Sequence, residues 1–464
     1  MEKLIQDKVC GWKNLNLEEK QEVFKFNDDY INFLNVAKTE REANKEIIKE
    51  LISNGFVDID SLEHLNEGDK VYYNNRGKSV FAAVIGSKSL VEGINLVGSH
   101  IDSPRLDLKP NPLYEDANLA LFKTHYYGGI KRYQWTTIPL ALHGIIVKPN
   151  GEKITISIGE DDNDPIFTIT DLLPHLAVNQ SDKKLRDAIE GESLNLLVGS
   201  IPSDSDKNAI KENVLSLLND KYGITEVDFT SSEIELVPAF KARSLGFDRS
   251  MVAAYGQDDR VCAYASLRAL IDAKSSDYTQ VAIFADKEEI GSVGNTGMYS
   301  DTFDLFMNEL LVKYGTNTVG ALNKLYCNSR MLSADVGAGV DPNYQEVSEK
   351  NNASYIGYGV ELNKYTGSRG KSGASDANAE FVGFVRNIFE SNNIKYQVSE
   401  LGKVDIGGGG TIAYILANKG IDVIDCGVPV ISMHSPYEVT SKYDVYSAYS
   451  AYKAFLESNN KVNY

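Results

Sequence analysis

The chain has 464 residues, 42% hydrophobic and 24% charged; this is globular composition with enough apolar material for two domains, or for one domain carrying a large insertion. Its 47 basic and 65 acidic residues leave a formal net charge of −18, so average charge argues against a protein whose main task is gripping nucleic acid. Four scattered cysteines (Cys10, Cys262, Cys327, Cys426), with no Cys-x-x-Cys pair, argue against a disulfide framework, thiolate zinc clusters and thioredoxin-type redox chemistry. No run approaches the roughly 18 apolar residues of a membrane span. The opening MEKLIQDKVCGWKN lacks the apolar stretch of a secretory leader. The expectation is a soluble protein of a reducing, cytoplasmic compartment, with neither membrane nor nucleic acid as partner.

The N-terminal segment reads as helical. Thr39 and Glu42 form a capping box, Ile47, Ile48, Leu51 and Ile52 make an apolar stripe, and Asn54-Gly55 is the stop. VYYNNRGKSVFAAVIG (71–86) reads as a hairpin turning between Asn74 and Gly77, and GINLVGSHID (93–102) as a buried strand with a polar carboxyl end. From about Pro110 to Pro238 the pattern changes to short β-prone runs, an acidic loop at 160–165 and a polar linker at 203–213. This predicts an inserted β-rich domain over 110–238, with 1–109 and 239–464 forming the main domain.

After EIELVPAF (233–240) helices and strands alternate. The pattern predicts a helix over 258–273, a strand over 279–285, a strand near 356–366, a helix from Asp376 to about Glu390 and a strand over 394–401. A glycine-opened helix (407–418), a strand (421–425) and a C-terminal helix follow. Such alternation implies an α/β fold: a mixed, largely parallel sheet flanked by helices, with the β-rich insertion beside it.

Chemistry concentrates at strand ends. In LVGSHIDSPRLD, His100 and Asp102 share a strand face, and a carboxylate beside a metal-binding imidazole fixes its tautomer. In FADKEEIGSVGNTG an apolar strand runs into Glu288 and Glu289; one glutamate could bind a cation while its neighbour accepts a proton from water. Asp258 and Asp259 open a helix in GQDDR, Asp335 follows Met331-Leu332 in SADVGAGVDPNY, and His434 follows a strand in PVISMHSPYE. Taken singly, each also fits an ordinary cap, turn or structural histidine. Together, imidazoles and carboxylates without thiolate suit zinc or another borderline divalent ion in a catalytic site, and two metals about 3.5–4 Å apart suit the inventory better than one.

The ordered fragments SHIDSPR, GQDDR, DKEEIGS, SADVGAGVDPNY and MHSPYE resemble the aspartyl aminopeptidase / aminopeptidase I family of dinuclear zinc aminopeptidases, over essentially the whole chain. The resemblance implies a zinc-exopeptidase-like catalytic domain and metal ligation by His100, Asp258 (bridging), Glu289, Asp335 and His434. It implies that Glu288 is the general base and Asp102 the histidine-orienting aspartate. Two Zn2+ per subunit are implied, with Co2+ or Mn2+ compatible with the same donors, and the substrates are peptides with a free N-terminus. A homo-oligomer, a tetrahedral dodecamer built through the insertion, is implied as well, with His175 of LLPHLAVNQ reaching a neighbour's active site. Where acid-preferring members carry a Trp-Phe-Asp-Arg-Asp-Leu-like run, this chain has YYGGIKRYQWTTIPLALHG (126–144), closer to a bacterial branch. Lys131, Arg132, Arg369 and Lys371 are candidates for a basic specificity pocket.

Two other readings remain at this point. GGGG (407–410) at a helix start could cradle phosphate in a nucleotide-binding protein, with Asp425 about where a ribose-binding acid would stand. Yet the run lies near the end of the chain; a Walker loop around Gly370-Lys371-Ser372 has Tyr365 where it needs glycine, and no G-x-S-x-G elbow is present. The other reading is a non-catalytic, metal-stabilised assembly protein.

Overall fold

The computed structural model describes residue 4 and residues 8–464. The chain divides into two compact units: one comprises residues up to Asp102, Ala242–Met433 and Glu438–Tyr464, the other Ser103–Lys241 with His434–Tyr437.

The first unit is built on a nine-stranded mixed sheet. Its centre is four parallel strands, in spatial order Thr279–Ala285, Ile94–His100, Arg330–Ser333 and Asp422–Gly427. The hairpin Lys70–Asn75 / Ser79–Val84 and the short Val57–Asp58 extend one side, and Val360–Asn363 and Tyr396–Ser399 the other. Both faces are apolar, and the period-2 alternation of each strand divides its side chains between two cores. Val97, Ala282, Phe284, Leu332 and Ile424 pack with the helices Leu17–Val36, Glu40–Ser53, Gln257–Asp272, Ala379–Ser391 and Lys442–Leu456. Leu96, Val281, Ile283, Met331 and Val423 pack on the opposite face with Thr302–Lys313, Ala321–Cys327 and Ala413–Ala417. At about 1.5–3 kcal/mol for each large side chain removed from water, these two cores are the main stabilising term. A further five-stranded sheet pairs Met251–Ala254 with Glu438–Ser441, Ala254 opposite Glu438.

The second unit carries a seven-stranded antiparallel sheet in the order Lys153–Ile158, Leu140–Val147, Ser232–Pro238, Arg105–Asp116, Leu119–Tyr127, Leu196–Gly199 and Thr168–Ile169. Gly144 fits here because a Cβ at that position would lie 1.9 Å from the Glu233 carbonyl oxygen.

Several local expectations change. The capping box of Glu40–Ser53 is present, but Ile52 is 54% exposed, and the buried stripe is Ala43, Ile47 and Leu51 with Ile48 half-buried. The 203–213 linker runs into a helix, Ala209–Tyr222, that buries Ile210 and Val214. The glycine-opened helix shrinks to Ala413–Ala417, because four consecutive glycines lose too much backbone entropy to enter a helix. The GGGG run is therefore a loop followed by a five-residue helix, which removes the phosphate-cradling helix start on which the nucleotide reading stood. Among the described residues no helix is long and apolar enough to cross a membrane.

Candidate metal and catalytic centre

The carboxyl ends of the central parallel strands build the site. His100 closes Ile94–His100 and is buried, as are Asp102, two residues on, and Asp258 at the head of Gln257–Asp272. Asp258 and Asp259 leave helical backbone geometry (ψ 109° and 29°), so the first carboxylate stands at the helix head rather than within its ladder. Asp335 sits two residues beyond Arg330–Ser333 and is half-buried. Its backbone lies hard against Gly427, where a Cβ would come within 1.6 Å of the Asp335 carbonyl oxygen; a side chain there would displace the segment.

These ends converge. His100 Nε2 lies 3.2 Å from Asp258 Oδ1, 3.7 Å from Asp335 Oδ1 and 3.9 Å from Glu288 Oε2. One ligand atom from each of His100, Asp258 and Asp335 falls within 4.8 Å of the others. On the far side of the ring, His100 Nδ1 is 3.0 Å from the Asp102 carbonyl oxygen and 3.3 Å from its carboxylate.

Asp102 also holds the turn that carries Glu288 and Glu289. Its two oxygens accept the backbone N–H groups of Glu288 (3.1 Å) and Glu289 (3.2 Å), at the start of the short turn Glu288–Ile290. That turn is bounded by Lys287 at φ 65° and Gly291 at φ 89°, and Asp286 before it accepts the Thr296 hydroxyl at 2.5 Å. Asp259 accepts the backbone N–H of His100 at 3.2 Å, and Glu438 accepts that of Asp258 at 3.0 Å. The positions of His100, Asp258, Glu288 and Glu289 are thus tied by carboxylate-to-amide bonds.

The electrostatics are those of acids crowded in a dry place. Burial pushes the Glu288 carboxyl up to about 8; His100 opposes this, and the charges of Asp335, Asp102 and Asp258 add to it. Asp335 is raised for the same first reason. Burial alone would discharge His100, but hydrogen bonds to Asp102, Asp258 and Asp335 hold its proton well above the usual imidazole range. A divalent cation fits such a donor set: one imidazole nitrogen and carboxylate oxygens, without thiolate, suit zinc or a similar ion.

The remaining candidates are placed as follows. Glu289 is half-buried on the same turn as Glu288. His434 is half-buried in the segment that clusters with the second unit, its Nδ1 2.9 Å from the Gly129 carbonyl oxygen. His175 is exposed on the turn Pro174–Leu176 of the second unit. Of the four basic candidates, Lys371 is engaged by Asp376 (3.0 Å) and by the Tyr365 ring, and Arg132 donates to the Arg186 carbonyl.

A family model described as "Aminopeptidase I zinc metalloprotease (M18)" matches residues 33–456. The chain belongs to the M18 aminopeptidase family. It is 50% identical over 461 residues to a probable M18 family aminopeptidase 1 of Clostridium acetobutylicum, covering 98% of this chain and 99% of that one. A crystal structure of an M18 aminopeptidase from Thermotoga maritima superposes with a TM-score of 0.94 at 47% identity, over 98% of this chain and 100% of that one. The mApe1 dodecamer of S. cerevisiae shares the fold at TM-score 0.75 and 22% identity, over 94% of this chain and 97% of that one. Membership makes this protein a metal-dependent aminopeptidase.

For Asp259 the sequence suggests only an acid at a helix start, and for Asp425 only a ribose contact in the nucleotide reading. Asp425, fully buried and raised to about 7 by that burial, accepts the Thr411 hydroxyl at 2.7 Å and so anchors the end of the glycine run. Its position opposite Ser333, on the strand next to the one that leads to Asp335, is the signal that could have found it.

Proposed function

We propose that the enzyme removes the N-terminal residue of peptides with a dinuclear metal centre, zinc first, with cobalt or manganese able to use the same donors. His100 and Asp335 would hold one cation, Glu289 and His434 the other, and Asp258 would serve both. Bound cations would polarise the scissile carbonyl and make water acidic enough to attack at neutral pH. Glu288 takes the proton of the attacking water and returns it to the leaving amine, a task suited to a carboxylate whose basicity is raised by burial. Asp102 fixes the His100 ring with Nδ1 as donor, leaving Nε2 for the cation, and keeps Glu288 in place through its backbone N–H. Requiring a free α-amine at the bound cations or at an adjacent carboxylate would restrict cleavage to the chain end.

The observation that carries this reading is the meeting of His100, Asp258 and Asp335 within 4.8 Å, with Glu288 just beyond. It is tested by metal analysis of the purified protein combined with a panel of aminoacyl-nitroanilides. Two metals per chain and turnover of free but not N-acetylated substrates are expected. Metal-loaded protein inert across the panel would instead favour a non-catalytic assembly role.

We also propose a tetrahedral homododecamer in a cytoplasmic setting, with His175 reaching a neighbour's site. Support comes from the dodecameric yeast relative and from an exposed apolar run around His175: Leu172, Leu173, Leu176, Val178 and Leu185. Light scattering that gives a monomer at working concentration would overturn it.

A further inference from the structure

We infer that Gly129 is a positioning residue for His434. Its carbonyl sets the tautomer of the imidazole, and its lack of a side chain makes room for the ring. The inference rests on the proposed role of His434 as a metal ligand and goes beyond it.

A carbonyl oxygen has no proton to give, so the Nδ1 of His434 at 2.9 Å must be the donor. The neutral ring then carries its lone pair on Nε2, the form in which imidazole binds a cation. Space is equally restrictive. A Cβ at residue 129 would lie 3.3 Å from His434 Nδ1 and 3.6 Å from Cε1, so a side chain presses on the ring at the atom that makes the bond. His434 sits at φ 63°, a left-handed conformation uncommon for a non-glycine residue, and its surroundings must hold it there. The acceptor of its ring belongs to the second unit. Gly129 lies two residues beyond strand Leu119–Tyr127, and Tyr437 meets Phe240 edge-to-face at 5.1 Å. The insertion thus does more than add a β-sheet to the chain: it supplies the acceptor that orients one candidate ligand, as Asp102 does for His100. Both acceptors are backbone carbonyls, Gly129 for His434 and Asp102 for His100, and His100 has the Asp102 carboxylate at 3.3 Å in addition.

The test is a cobalt titration of the metal-free full-length protein, followed by visible absorption and equilibrium dialysis, on wild type, Gly129→Ala and His434→Ala. Wild type is expected to bind two equivalents and His434→Ala one. Gly129→Ala should keep the first equivalent unchanged and bind the second about 10–100-fold more weakly, the usual cost of disturbing the group that orients a metal-binding histidine. Its second-equivalent d–d spectrum should change as well. A Gly129→Ala protein with wild-type affinity and spectrum for both equivalents overturns the inference while leaving the ligand set standing. A His434→Ala protein that still binds two equivalents overturns the ligand assignment itself. Should Gly129→Ala fail to fold, nitrogen-15 solid-state spectra of histidine-labelled, metal-free wild type decide the matter, with the His434 signal identified by its loss in His434→Ala. An Nδ1–H tautomer is expected, and an Nε2–H tautomer overturns the inference.

Discussion

The same side chains behave in opposite ways in the two units. At the strand ends of the first unit, burial raises Glu288 to about 8 and lifts Asp335 as well. In the second unit Glu190 and Glu192 are lowered, each by a hydrogen bond from a lysine, Lys183 at 2.8 Å and Lys109 at 2.7 Å. The surface pairs lose little solvation, so the cation beside each acid decides the sign; at the strand ends the lost solvation decides it. A raised acid beside other raised acids marks a place where folding has accepted an electrostatic cost, and where an imidazole stands among them, as His100 does, a bound cation would relieve it. Acid count does not distinguish the regions; the direction of the shift does.

The sharpest way to break this contrast is Glu288→Gln. Loss of the proposed general base should lower kcat roughly 10²–10⁴-fold, with metal content unchanged by elemental analysis. Near-normal kcat in a fully metallated variant would show that Glu288 is another desolvated acid without a catalytic task. His100→Ala should lower metal occupancy and activity together, because it removes the nitrogen around which Asp258 and Asp335 gather. Asp102→Asn should cost about 10–100-fold in metal affinity or activity, since the amide can neither orient the ring as a carboxylate does nor accept both N–H groups of the Glu288–Ile290 turn. On the other side of the comparison, Glu192→Gln should leave both kcat and the melting temperature where they are. A loss of activity there would mean that the surface pairs are not the inert partner of the contrast.

Legibility followed whether side chains or backbone did the work. Strand Thr279–Ala285 could be read to the residue because a short apolar run ends abruptly in charge. Helix Glu40–Ser53 was legible at both ends because its cap is made by side chains, Thr39 and Glu42. Ile52 misled because periodicity describes a face and cannot say where the neighbouring element ends. Helix Ala209–Tyr222 was hidden because two buried residues, Ile210 and Val214, make a stripe too narrow to stand out from a polar run. In the site, His100, Asp335 and Glu288 announced themselves as residue types at strand ends, and Asp258 as an acid at a helix start. What could not be read was how they are held: the His100 amide on Asp259, the Glu288 and Glu289 amides on Asp102, the Gly129 carbonyl on His434. Every residue but proline has the same amide, so those bonds leave no signature until the fold brings their ends together.

A change in stability rather than activity sharpens the contrast away from the candidate metal site. Asp444, in the first turn of Lys442–Leu456, is fully buried and accepts the backbone N–H groups of Gly357 (2.6 Å) and Gly359 (2.7 Å). Burial pushes it up from 3.8 to about 8; the two N–H bonds oppose this, and the charge of Glu361 adds to it. Between those two values the folded chain holds a proton that the unfolded chain has released, so the contribution to stability is full at low pH and drains away as pH rises toward 8. Asp444→Asn cannot lose that proton, and its amide accepts the two N–H groups less well. The variant should therefore be less stable than wild type at pH 5, and the gap should narrow by pH 8 in denaturant unfolding of the full chain. A gap that stays constant across that range would mean Asp444 titrates like the exposed glutamates of the second unit, and that two backbone donors compensate a buried carboxylate as fully as a lysine does at the surface.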